Sequence, residues 1–209
     1  MREIQGARRR RGRTLLVVGM VLLGLFPAVV FGQGSATAVA ETSPPPEPPL
    51  EVSTIFLVRH AEKATEPKED PPLTAVGRCR AEALAELLAD AGIHRLFSTE
   101  TRRTLETVRP LAVRLHQEVE TRPPADLDGL VRALTRVPGE VELVVGHSNT
   151  LGPMIEQLGA PPIAPIADGE YGGIYVVTRV TRGAELLDAR VTQLVQPAPY
   201  VLDDGSCAP

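Results

Sequence analysis

Tryptophan is absent from this 209-residue chain, and only four phenylalanines and three tyrosines are present. So few aromatic rings cannot build the stacking platforms that hold single-stranded nucleic acid. Cysteine is scarcer still: Cys79 and Cys207 are far apart and form no metal-ligand spacing. They are read as two unpaired thiols, with a single long-range disulfide as the alternative in an oxidising compartment. Histidine occurs four times, at His60, His94, His116 and His147. No third ligand stands at metal spacing beside any of them, and neither a metal nor a cofactor is expected. Positive charge is also in deficit once the start of the chain is set aside. Beyond residue 40 the chain keeps 16 basic and 25 acidic residues, a net charge of −9. A body of that sign repels a phosphate backbone, so nucleic acid is excluded as a partner.

The first 40 residues hold six arginines and one acid. A basic stretch, Arg8 to Arg13, precedes an uncharged apolar run from Leu15 to Phe31, and Ala38-Val39-Ala40 then supplies a signal-peptidase pattern before Glu41. Residues 1–40 are therefore expected to be a signal peptide, with an uncleaved signal anchor as the competing reading. The expected location is exported, periplasmic or extracellular, and the only membrane contact expected is that anchor if it is kept. Residues 41–50 carry prolines at 44, 45, 46, 48 and 49 and read as an extended linker. The folded domain is expected over 51–209. Hydrophobic residues make up 43% of the chain and charged ones 23%, as in an ordinary globular protein.

From Glu51 onward, apolar runs alternate with amphipathic stretches. Strands are predicted at Thr54–Val58, Arg95–Phe97 and Val141–Val145, and a hairpin from about Ile174 to Val195 turning at Arg182-Gly183. Helices are predicted from a Thr74 cap to a Gly92 stop, from Thr99 or Thr101 to Leu115 with Pro110 kinking or dividing it, from Leu127 to Val137, and from about Leu151 to Leu158. This alternation defines an α/β fold: a three-layer α/β/α sandwich with a mainly parallel sheet and an antiparallel edge. Two histidines then occupy equivalent places, since His60 and His147 each follow a predicted strand by two residues. The carboxyl ends of parallel strands face one crevice, so Arg59-His60 and Gly146-His147 should meet there. Arg102 and Arg103 lie on the first turn of the helix after the Phe97 strand, where a helix N-terminus favours an anion. Two histidines, arginines and two helix N-termini suit a phosphoryl group, whose oxygens match the arginine fork.

Leu57-Val58-Arg59-His60-Ala61-Glu62-Lys63 resembles the Arg-His-Gly signature of the histidine phosphatase superfamily, which includes phosphoglycerate mutases and phosphohistidine phosphatases. The resemblance continues through Leu73-Thr74…Gly77 and Phe97-Ser98-Thr99…Arg103-Thr104…Thr107, ends at Val145-Gly146-His147-Ser148-Asn149-Thr150, and covers roughly residues 52 to 180. Ala61 departs from the signature glycine and is tolerable where the backbone does not need a positive φ.

The resemblance implies a phosphatase acting through a covalent phosphohistidine on His60, with His147 bonding the transferring oxygens and Arg59 and Arg103 clamping them. Asn149 and Glu62 are weaker candidates for substrate contact. The acid that protonates a leaving group is not identified: Glu62, Glu118, Glu120, Asp126 and Asp128 all stand open. A phosphomutase and a non-catalytic phospholigand-binding module are the alternatives. No long insertion between Arg103 and Val141 supplies a mutase lid, and the retained histidines and arginines speak against a silent module. The expected substrate is a phosphorylated small molecule or a phosphoprotein. His94 and His116 are read as surface or helix-end residues.

Overall fold

A computed structural model describes residues 45–207. The expected signal segment, 1–40, and the first part of the linker lie outside the described residues. The elements run β1 (Leu50–Arg59), α1 (Ala75–Leu88), β2 (Arg95–Thr99), α2 (Arg102–Leu115), β3 (Val119–Arg122), α3 (Leu127–Leu134), β4 (Val141–Gly146), α4 (Ser148–Gln157), β5 (Gly173–Arg182) and β6 (Glu185–Val195).

The six strands form one sheet in the order β3-β2-β4-β1-β5-β6. The first four are parallel to one another, β5 runs antiparallel to β1, and β6 antiparallel to β5. Side chains alternate across this sheet and define two core layers. Ile55, Leu57, Phe97 and Val144 point to one face with Leu130, Leu134, Met154 and Ile155 of α3 and α4. Val58, Leu96, Leu143 and Val145 point to the other with Leu84, Leu88, Val108 and Leu111 of α1 and α2. Each such fully buried aliphatic side chain contributes about 1.5–3 kcal/mol. The expected three-layer sandwich is the observed one.

Local signals explain the ends. Thr74 caps α1 as predicted, its Oγ1 accepting from Gly77 N at 3.0 Å. The helix stops at Leu88, short of Gly92, and Gly92 makes the turn beyond it at φ +68°. Helix α2 continues through Pro110 without dividing, its buried side secured by Thr107, Val108 and Leu111. α3 ends at Leu134 rather than Val137. The hairpin turns at Gly183, where φ is +57°. β3 was not anticipated.

The cysteines are also a correction. Cys79 and Cys207, read as unpaired thiols, form a disulfide with Cα atoms 5.2 Å apart. After β6 the tail folds back toward α1: Gln196 Nε2 donates to Arg80 O at 3.0 Å, and Arg80 Nη1 lies 3.4 Å from Pro197 O. That return path carries Cys207 to Cys79 and could not be read from spacing alone.

Candidate active site

Strand register assembles the site. β1 and β4 pair with Arg59 opposite Gly146, so both chains leave the sheet side by side. His60 N donates to Gly146 O at 2.9 Å. The two histidine rings lie edge to face with centroids 5.4 Å apart. His60 is 3% exposed and His147 8%.

His60 Nδ1 lies 2.8 Å from the carbonyl oxygen of Ala61. A carbonyl only accepts, so Nδ1 carries the proton and Nε2 keeps its lone pair. Burial drives the His60 pKa down to about 4; the Ala61 bond opposes the fall, and His147, Arg103 and Arg59 add to it. Ala61 is fully buried, and its N–H donates to Thr107 Oγ1 at 3.0 Å. Its φ is not positive, for His116 is the one non-glycine with positive φ among the described residues. Alanine therefore fits where the signature has glycine.

His147 is the N-cap of α4. Its Nε2 lies 3.0 Å from Thr99 Oγ1, at the end of β2, and Thr99 in turn touches Thr104 Oγ1 at 2.9 Å. Burial first, then Arg103 and Arg59, lower the His147 pKa to about 4.

Arg59 donates from Nη1 to the carbonyls of Ala167, Asp168 and Glu170. Arg103 stands on the first turn of α2, which Asp70 anchors by accepting from Arg102 N at 2.8 Å. Asp70 is also 3.8 Å from Arg103 Nη1. The Nε of each arginine is buried without a hydrogen-bond partner in the protein. An unmet buried donor costs about 1–3 kcal/mol, more when charged, so an acceptor bound in the cavity that both arginines line would relieve that cost. Arg59, His60, Lys63, Arg103, His147 and Asn149 line a cavity of about 320 Å³. A larger groove of about 780 Å³ between α1 and α2 contains neither histidine, and the chemistry assigns the site to the smaller cavity.

The structure thus brings His60, Arg59, Arg103 and His147 together, with Asn149 exposed at the rim. Arg102 points outward to Glu106, and of the two neighbouring arginines only Arg103 lines this cavity. Glu62 is not in the cavity; its carboxylate is held by Arg80 Nε at 3.0 and 2.9 Å and by Nη2 at 2.6 Å. The other acid candidates are also elsewhere. Glu120 binds Arg122, Asp126 caps α3, Asp128 accepts from Gln157, and Glu118 is exposed just after the C-terminal end of α2. Among the described residues no carboxylate lines the cavity. Thr99 and Lys63 were within reach of the sequence, since both lie in the quoted motifs, but neither was given a role. Tyr171, whose ring lies 6.0 Å from that of His60, carries no sequence signal and arrives through the α4–β5 loop.

A mainly parallel sheet whose strand ends hold two buried histidines beside two arginines defines an α/β protein with a cationic edge suited to an anion. Residues 55–125 match the model of the histidine phosphatase superfamily, branch 1. No curated protein matches the sequence. Among solved structures, the Nakamurella multipartitia protein assigned as phosphohistidine phosphatase SixA is 22% identical, with a TM-score of 0.54 over 73% of this chain and 99% of that one. The protein histidine phosphatase SixA complexed with tungstate is 19% identical, with a TM-score of 0.54 over 68% and 96%. Mycobacterial glucosyl-3-phosphoglycerate phosphatase is 15% identical, with a TM-score of 0.51 over 68% and 97%. These structures share the fold. The family match covers the segment that carries His60 and Arg103, and the chain is similar there to the histidine phosphatase superfamily.

Proposed function

We propose that the chain is a phosphatase that passes the phosphoryl group through His60 Nε2 to water. The observation that carries this reading is the pair of buried, unpartnered arginine Nε groups beside a histidine whose Nδ1 proton is held by Ala61. In the first step Nε2 forms a bond to phosphorus while the bond to the leaving group breaks and its electron pair departs with that group. Arg59 and Arg103 stabilise the charge on the equatorial oxygens, and His147, fixed by Thr99, adds a further contact. Water then attacks phosphorus, and His60 is released as the neutral imidazole.

Leaving-group chemistry narrows the substrate. Because no carboxylate among the described residues lines the cavity, no carboxylic acid stands ready to protonate an alkoxide. Phosphohistidine, acyl phosphates and aryl phosphates leave without that help, and these are the proposed substrate class. The named activities of the SixA proteins support the first of them. A mutase is disfavoured by the short path from α2 to β4, which holds only β3 and α3 and brings Pro124 alone to the cavity. Export is proposed as well, and the Cys79–Cys207 bridge supports it, since such bonds persist in oxidising compartments.

The test is phosphate release from a set of substrates with leaving groups of rising pKa. kcat/KM should decline steeply along the set, and His60→Ala should abolish turnover together with acid-labile, base-stable labelling of the protein. A His60→Ala variant that still turned over at the wild-type rate would exclude the covalent route.

A further inference from the structure

Arg59 has five N–H donors and no acceptor, and the structure decides which of them face the cavity. Nη1 is committed to main-chain carbonyls, at 2.9 Å from Ala167 O, 2.9 Å from Asp168 O and 3.0 Å from Glu170 O. The guanidinium carbon lies over the Tyr171 ring, 4.3 Å from its centroid. What remains is the Nε–Nη2 edge, whose Nε is buried and unpartnered. The two N–H bonds of that edge are parallel and match two oxygens of one phosphoryl group. A guanidinium free to turn could instead offer the Nη1–Nη2 end, and the three carbonyls remove that choice.

The segment around Nη1 is itself fixed. Glu170 Oε2 accepts from Ala167 N at 2.9 Å, and Glu170 N donates to Ala167 O at 3.0 Å, closing the loop on itself. One residue past Tyr171, Gly172 O accepts from Gln196 N at 2.8 Å, and a Cβ on Gly172 would come within 2.6 Å of Gln196 O. Buried Gln196 is tied in turn to Arg80 O on α1.

Resting on the phosphoryl-transfer reading, we propose that Tyr171 is a positioning residue. Its ring backs the Arg59 guanidinium while the carbonyls of Ala167, Asp168 and Glu170 hold Nη1, so the side-on Nε–Nη2 fork meets the phosphoryl group. Tyr171 acts through Arg59 and does not touch the reacting atoms. The ring supplies this function and the hydroxyl does not.

The experiment uses the full-length chain, an aryl phosphate as substrate and inorganic phosphate as a binding probe. Tyr171→Phe should keep kcat within about twofold, because the aromatic face is retained. Tyr171→Leu should lower kcat by about 10- to 100-fold with a smaller change in KM, the scale of a slightly misplaced catalytic group. In an Arg59→Lys background, which has no planar fork to align, Tyr171→Leu should change kcat by less than about threefold. Equal losses in both backgrounds, or no loss in either, would overturn the proposal. If Tyr171→Leu does not fold, the unbranched Tyr171→Met carries the same comparison. Should the wild-type chain release phosphate from no substrate, the phosphatase reading fails, but the positioning role of Tyr171 is still tested by calorimetric phosphate binding. Tyr171→Leu must then weaken binding, and not additively with Arg59→Lys; unaltered binding refutes the positioning role.

Discussion

A histidine that attacks phosphorus must be neutral, and His60 is kept so by burial and by two arginines that disfavour a third cation. Its pKa of about 4 replaces an ordinary value of 6.5. The acid limb of kcat/KM should therefore fall near pH 4 and not near 6.5, measured on a substrate whose own ionisation is complete by then. The same shift affects stability. Between pH 6.5 and 4 the unfolded chain binds a proton at this position that the folded chain refuses, so stability declines as pH falls through that window and is unaffected above it. His60→Gln should accordingly lose less Tm than wild type between pH 7 and 4.5. For the clamp, Arg103→Ala should lower kcat by about 10²- to 10³-fold, the scale of one lost transition-state donor. Arg102→Ala should have little effect, because Arg102 is spent on Glu106 at the surface. Steady-state kinetics on the two variants separates these outcomes.

Among the elements, β4 carries an ionisable group far from the chemistry. Glu142 is 1% exposed and bonded to Arg95 Nη1 at 2.9 Å, yet burial pushes its pKa up to about 8, with Arg95 offsetting only part of the rise. A carboxyl raised in the folded state stabilises below the unfolded value near 4.5, and that contribution is lost as pH rises through 8. Glu142→Gln, which keeps an oxygen for Arg95, should melt progressively higher than wild type as pH is raised from 5 to 9. Pattern made β1, β2 and β4 legible, because Ile55, Leu96 and Val144 sit in apolar runs that only a buried strand explains. From those ends the meeting of His60 and His147 followed by parallel topology. β3 was not legible: Val119-Glu120-Thr121-Arg122 is a short polar edge strand, identified only by its pairing with β2. Contacts across long separations, such as Thr99 with His147 or Tyr171 with Arg59, leave no periodic trace. Gly77 was noticed as part of a motif, and its physical reason appears only in three dimensions. A Cβ there would collide with the carbonyl of Glu62, so α1 could not approach the turn after the nucleophile.

For the molecule as a whole, the Cys79–Cys207 bridge closes a loop spanning a separation of 128 residues. In the chain-entropy account such a closure is worth about 5 kcal/mol. Reduction, or Cys207→Ser, should lower Tm by about 10 °C or more for a domain of this size, read by calorimetry with and without reductant. The loss should be partly functional too, because the tail that carries Cys207 also carries Gln196, which holds the segment behind Arg59. The ring encloses Arg103 and His147, every strand but β1, and all the connecting loops from α1 onward. A protease that cuts one exposed loop within it, such as the Gly183 turn, leaves two fragments that still travel as one covalent molecule. The nick would be invisible on a non-reducing gel and would separate into two bands only when the sulfurs part.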